Sequence, residues 1–276
     1  MPRSLKLLSI LWILSSANAV FAQSRDIPAS ECLQSLVRVY PDVLLRATRD
    51  SLYWRNGAVM PFGRLTLPKA LSDVSTEEWE RFLSQATLRD QMAQCYKQDD
   101  SATVPLRHDD PGRIRFEPFF RMMYGATENE VRQNLVPVRW LKNLPNAAST
   151  LMVTRINGVN TKLQAVSDEL ERLPREFHPY IIQPAGTFKW RVIAGTERLS
   201  NHSFAAAIDI NLRFTDYWRW DLNKSDHYPF KNRIPMAIVH IFEKHGFIWG
   251  GRWYHYDTMH FEYRPELLTK ECECKD

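Results

Sequence analysis

The chain has 276 residues, 44% of them apolar and 25% charged, with 36 Lys and Arg against 32 Asp and Glu. These proportions suit a globular protein of one large domain or two smaller ones. A formal charge of +4, with no basic stripe carrying interleaved aromatic residues, argues against a nucleic-acid partner.

Arg3 and Lys6 precede a short apolar run, Leu7 to Leu14. Ala17-Asn18-Ala19 and Val20-Phe21-Ala22 then offer two cleavage signatures. Residues 1–22 therefore read as a secretory signal peptide, cut after Ala22 or alternatively after Ala19. The run falls well short of the ~20 residues a membrane span needs, and no later segment is long and apolar enough. The expectation is an exported protein, periplasmic or secreted, with no stable membrane span once the signal is removed. Loss of Arg3 and Lys6 lowers the basic count from 36 to 34 against 32 acids. Cys32, Cys95, Cys272 and Cys274 remain, an even count that suggests disulfides in an exported chain. A bridge within Cys272-Glu273-Cys274 would be strained. That leaves Cys32 with Cys95, or each of these with one C-terminal cysteine.

Residues 23–150 form an N-terminal region expected to be mostly helical and without an assigned role. Helical spacing of apolar residues covers Glu31 to Tyr40 and Thr76 to Tyr96, with a turn at Trp54-Arg55-Asn56-Gly57 between them. Gln98 to Gly112 is a polar loop containing Asp109-Asp110-Pro111-Gly112. Ile114 to Tyr124 is apolar and aromatic, suited to pack on the later domain, and Pro145 to Thr150 reads as a connection. In residues 151–276, Leu163, Val166, Leu170 and Leu173 mark a helix capped by Asn160 and ended by Pro174. Strands are expected at Tyr180 to Ile182, Ala205 to Asn211 and Met259 to Tyr263. A further helix spans Ile234 to His245, closed by Gly246. Short strands mixed with helices place the chain in the α+β class.

Two segments of this second region carry chemistry. One runs from Ser200 through His202 to Asp209, the other from Asp257 through His260 to Glu262. His202, Asp209 and His260 offer two imidazoles and a carboxylate. A zinc ion with only three protein ligands keeps one position open, the mark of a catalytic site. Asp257 is a spare carboxylate three residues before His260. Directing Met259, Phe261 and Tyr263 to the core turns His260 and Glu262 to a solvent-accessible face. Asp257 is an odd number of residues from His260, so a turn or bulge around Tyr256 to Thr258 is needed for both to reach one site. His227, His240 and His245 read as structural, as does His255, although His255 is close enough in sequence to contact a substrate. Trp249 and Trp253 suit either the core or a groove wall.

Gly186-Thr187-Phe188-Lys189-Trp190-Arg191, Gly195-Thr196, Ser200 to Asn211 and Tyr217-Trp218 lie in one block. Gly246 to Trp253 followed by Asp257 to Glu262 lie in another. Together these resemble the D-alanyl-D-alanine carboxypeptidase and L-alanyl-D-glutamate endopeptidase family of zinc peptidases, over roughly residues 155 to 268. The family's Ser-x-His-x-x-Gly-x-Ala-x-Asp pattern is met at Ser200, His202, Ala207 and Asp209, and departs at Ala205, where Gly is usual. The resemblance implies a small, mainly antiparallel sheet flanked by helices, the hedgehog/DD-peptidase-like fold. It implies one Zn2+ per chain on His202, Asp209 and His260. It further implies Asp257 as the catalytic carboxylate and Arg191 as the residue that binds the substrate carbonyl or oxyanion. Ser200 and Glu262 would orient the ligands. The expected function is an exported zinc metallopeptidase acting on peptidoglycan or its stem peptides, of the D-alanyl-D-alanine carboxypeptidase kind. An L-alanyl-D-glutamate or cross-link endopeptidase is the alternative. A non-catalytic zinc-bearing cell-wall binding module is the alternative of another class.

Overall fold

The first described element, α1 (Ala29–Val39), turns Leu33 and Leu36 inward, in keeping with its helical apolar spacing. This computed structural model describes residues 29–100, 104–222 and 229–269. The expected signal peptide, His227, Cys272 and Cys274 lie outside the described residues. Neither Cys32 nor Cys95 is a free thiol.

After α1 comes an antiparallel meander that the helical reading did not include. It consists of β1 (Leu44–Ala47), β2 (Ser51–Trp54) and β3 (Val59–Pro61), in the order β1-β2-β3. The Trp54 to Gly57 turn is its second hairpin, with Gly57 at φ 88°. Leu52 and Trp54 face the core from β2 while Tyr53 does not, a period-2 pattern too short to register against the longer helical signals around it. The helix expected over Thr76 to Tyr96 is broken into α2 (Thr76–Gln85) and α3 (Leu88–Gln91). Each has its own capping box, Ser75 with Glu78 and Thr87 with Asp90, so Thr87 starts a new helix rather than continuing the old one. Two more helices follow, α4 (Glu117–Tyr124) and α5 (Glu128–Arg132). Phe120 of α4 stacks on Phe204 at 5.9 Å, the expected packing of the Ile114 to Tyr124 segment on the C-terminal region.

A hairpin of β4 (Leu135–Trp140) and β5 (Ser149–Thr154) spans residue 150, the expected boundary. Next comes α6 (Val159–Leu170), which buries Leu163, Val166 and Leu170. Its cap is Gly158, at φ 65°, and not Asn160, which lies in the first turn. The strand expected at Tyr180 to Ile182 is instead part of a short helix, α7 (His178–Ile181). Pro179 sits in its first turn, where the missing N–H costs nothing; in a strand it would remove a ladder bond.

The sheet that carries the site has the order β6-β8-β7 and is antiparallel throughout. It is built from β6 (Ala207–Asp209), β7 (Phe247–Trp249) and β8 (His260–Tyr263). Trp218–Asp221 forms a short helix, α8, and Met236–Lys244 forms α9, which is followed by Gly246 at φ 90°. The strand expected from Ala205 is shorter than that because Ala205 adopts a left-handed conformation, which no strand accommodates. One apolar cluster runs from Cys32 to Leu267. The architecture is α+β with small antiparallel sheets flanked by helices, as expected.

Candidate metal centre

Strand register sets the first pair. Asp209 on β6 lies directly opposite His260 on β8, and Ala207 lies opposite Glu262. Directly opposed residues project from the same face, so the Asp209 carboxylate meets the His260 ring by pairing alone. His202 arrives from the single 3-10 turn Asn201–Phe204, which leads into β6. Ser200 caps that turn by accepting from the His202 N–H, and Ala205 ends it.

The three side chains converge. His202 Nε2 stands 3.1 Å from Asp209 Oδ1 and 3.2 Å from His260 Nδ1, and His260 Nδ1 stands 3.1 Å from the same Asp209 oxygen. Ligand atoms at ~2.0–2.1 Å from a tetrahedral zinc ion stand ~3.3–3.4 Å from one another. The observed triangle is close to one face of such a tetrahedron. Both imidazoles are also held in the matching tautomer. His202 Nδ1 donates to the Thr187 carbonyl at 2.8 Å, and His260 Nε2 donates to Glu262 Oε2 at 3.1 Å. Each ring thus turns its other nitrogen toward the triangle, where it can bind a metal ion once any proton it carries is released. The donor set fits a zinc ion.

The local field points the same way. Burial lowers the His260 pKa, but its bonds to Asp209 and Glu262 outweigh burial and hold it up at about 10. Burial pushes the Asp209 carboxyl up, yet the neighbouring His202 and His260 hold it well below the usual carboxylate range. The triangle is an electronegative pocket that accepts a positive charge, whether proton or cation.

A turn delivers Asp257. The His260 N–H donates to the Asp257 carbonyl at 3.1 Å, closing the turn that the odd spacing requires. Asp257 N–H in turn donates to the Gly250 carbonyl at 2.9 Å. A Cβ on Gly250 would lie 2.5 Å from the Asp257 carbonyl oxygen, so this close approach depends on glycine. Asp257 lines the same cavity as His202, Asp209 and His260, and its Oδ1 is buried without a hydrogen-bond partner. Burial above all, with some help from Asp209 and against the pull of His260, pushes its pKa up to about 6. Arg191 lines the cavity too, its backbone tied to Ser203 Oγ at 3.0 Å and to the Ser200 N–H at 3.0 Å.

Residues 194–263 match the family model for D-alanyl-D-alanine carboxypeptidase. Over that segment the chain is similar to this peptidase family. No curated protein and no solved structure matches the chain. The matched segment contains His202, Asp209, Asp257 and His260, and it begins after Arg191. Ala205 holds φ 53° and is fully buried, which accounts for the glycine usual in the family. Ala205→Gly is expected to change stability by less than about 1 kcal/mol. Relief of ~1–2 kcal/mol of left-handed strain is largely offset by the lost burial of a methyl and the greater freedom of glycine when unfolded. Urea unfolding of the two chains checks this.

One expectation needs correction. Glu262 does not face solvent; it is fully buried, and His260 is nearly so. The face of β8 opposite the core is covered by residues 109–115 of the N-terminal region, in sequence the end of a polar loop and the start of an apolar stretch. Arg113 and Arg115 line the cavity from that segment. Arg113 pairs with Glu80 at 3.0 Å, and Arg115 with Glu262 at 2.9 Å. Asp110 accepts from the His255 backbone N–H at 2.9 Å and from the His255 ring. His255 therefore lines the cavity on a tether from the N-terminal region. The alternation Arg113-Ile114-Arg115 is a signal that both guanidiniums share a face, but nothing local ties them to a strand about 150 residues onward.

Among the described residues His108, Asp110 and His255 form a second group with metal-ligand spacing. Its carboxylate is already committed. Oδ2 accepts from Trp79 Nε1 at 3.1 Å, from the His255 ring and from Arg113 at 3.4 Å. Burial raises the Asp110 pKa, but the His255 and Arg113 charges more than offset this and hold it far down. With a guanidinium beside it, this group acts as a polar anchor for His255.

Proposed function

We propose that the chain is an exported zinc metallopeptidase that hydrolyses peptide bonds in peptidoglycan stem peptides, in the manner of a D-alanyl-D-alanine carboxypeptidase. The observation that carries this reading is the triangle of His202, Asp209 and His260 donors at 3.1–3.2 Å, lining one cavity with Asp257. The triangle lies inside the segment that matches a peptidase family. His202, Asp209 and His260 would hold one zinc ion. When bound, zinc supplies Lewis acidity toward the scissile carbonyl and lowers the pKa of water to about 7.

The protein's own groups do the rest. As a carboxylate, Asp257 takes the proton from the attacking water and then, as an acid, delivers it to the leaving amine. Its unpartnered oxygen leaves a position for that proton. Arg191 donates to the oxygen on which charge develops, a preorganised interaction of the kind worth about 3–4 kcal/mol in the transition state. Arg191 and Arg219 line the cavity together with Arg113 and Arg115, a cationic lining suited to a terminal carboxylate. That lining favours removal of a C-terminal D-amino acid over cleavage within the stem. Export rests on the residue 1–22 pattern and suits a substrate outside the cytoplasm.

The test is hydrolysis. The purified mature chain is incubated with defined stem peptides and with intact peptidoglycan, with and without a chelator. Release of a single terminal D-alanine, lost on chelation and restored by zinc, is the expected result. Cleavage between L-alanine and D-glutamate would replace the carboxypeptidase reading by the endopeptidase one. Zinc binding with no product from any substrate would sink the enzyme reading and leave a binding module.

A further inference from the structure

The proposed zinc ligands all lie in the family-matched segment, as does Glu262 beside His260, but Arg115, which pairs with Glu262, does not. Glu262 receives the Nε2 proton of His260 on Oε2 at 3.1 Å. The same oxygen accepts from Arg115 at 2.9 Å, and Oε1 accepts from Arg264 at 2.9 Å. Glu262 is fully buried, so its orientation and its charge depend on these donors and not on water. Arg264 is itself shared, because its Nε is bonded to Glu266. Arg115 is therefore the cation that shares an oxygen with His260.

The backbone that carries Arg115 is fixed against the site. Asp109 accepts from the Tyr254 N–H at 2.8 Å, and the Gly112 carbonyl accepts from Arg264 at 3.3 Å. A Cβ at Gly112 would stand 2.3 Å from the Trp253 ring, so the approach is one that only glycine permits. Phe116 N–H, on the next residue, is held by Gln91 Oε1 at 2.9 Å.

We propose that Arg115 is a positioning residue of the metal centre: by clamping Glu262 it sets the angle of the His260 ring, so the N-terminal region completes a site whose ligands it does not supply. This rests on the reading of His202, Asp209 and His260 as zinc ligands. It assigns residues 109–115 a role in the metal site that reaches beyond covering it. Partners of this kind change metal affinity about 10- to 100-fold when removed.

The test is a double-mutant cycle on the full chain, read as zinc affinity by competition with a chelating indicator. Arg115→Gln and Glu262→Gln are each expected to weaken zinc binding about 10- to 100-fold. The double variant should be no weaker than Glu262→Gln by more than about twofold, because the two residues act in series. Visible absorption of the cobalt-substituted chain reports ligand geometry and should change alike in both single variants. Should Arg115→Gln fail to fold, Arg115→Lys takes its place, with a smaller loss in the same direction, since one ammonium replaces a planar fork. Unchanged affinity and cobalt spectrum in the Arg115 variant, or losses that multiply, would overturn the proposal. Failure of the wild-type chain to bind zinc is a different outcome: it removes the metal reading itself, and this inference with it.

Discussion

Asp257→Asn is expected to lower kcat on a stem peptide by about 100- to 10,000-fold, the range for loss of a positioned general base, while zinc still binds one per chain. The separation of the two effects follows from position. Asp257 is outside the triangle of donor atoms and is joined to it through a backbone turn, His260 N–H to Asp257 carbonyl at 3.1 Å. An amide in its place keeps the shape and the turn but cannot take a proton. The pH profile carries the sign of the assignment. The base must be ionised to act, and burial pushes the Asp257 carboxyl up to about 6. Activity of the wild-type chain should therefore fall as pH drops through an acid limb near that value. A bound cation, which favours the carboxylate, moves the limb lower. The residual activity of Asp257→Asn should lack the limb. Steady-state kinetics between pH 4 and 8 with a zinc titration checks both parts. A variant that keeps near wild-type kcat would remove Asp257 from the chemistry.

Arg264→Leu is expected to lower the unfolding free energy by about 3–5 kcal/mol, the cost of leaving buried charge uncompensated. Arg264 is fully buried, bonded to Glu262 and Glu266, and lies over the Phe120 ring at 5.0 Å. Tyr40 of the N-terminal region donates to the other Glu266 oxygen. Removal of the guanidinium takes the bonded cation from buried Glu266 and one of the two from buried Glu262, which keeps Arg115. Arg264→Leu combined with Glu266→Leu should recover part of the loss, since a matched pair replaced by apolar groups is often tolerated. Burial raises the Glu262 pKa, but Arg115, His260 and Arg264 outweigh it and hold it well below its unfolded value. The stability it contributes is thus present above the unfolded Glu pKa of about 4.3 and is lost as pH falls below that. Urea unfolding at pH 7 and at pH 4 measures both effects. A loss under about 1 kcal/mol for the single variant at pH 7 would show that these charges do not hold the regions together.

The legible part of the fold was the part with sustained local pattern. Helices at α1, α6 and α9 repeat apolar residues over two or more turns, and Gly246 closes α9 as a left-handed residue should. The meander of β1, β2 and β3 was missed because three- and four-residue strands carry too few alternations to compete with a helical period. The split between α2 and α3 turned on one side chain, Thr87, whose capping bond outweighs continuity of the apolar pattern.

For the candidate site, residue types and their order in the sequence singled out His202, Asp209, His260 and Asp257, and the structure brings all four to one cavity. Period-2 geometry also required a turn after Asp257, and that turn is present. What only the tertiary structure decided is which atoms meet. Strand register sets Asp209 against His260, and the burial of Glu262 makes Arg115 and Arg264 its counter-charges. Arg264 directly follows β8, but Arg115 lies in a segment whose local pattern carries no link to that strand. Long-range ion pairing depends on where the backbone is brought by packing, and no local period records it.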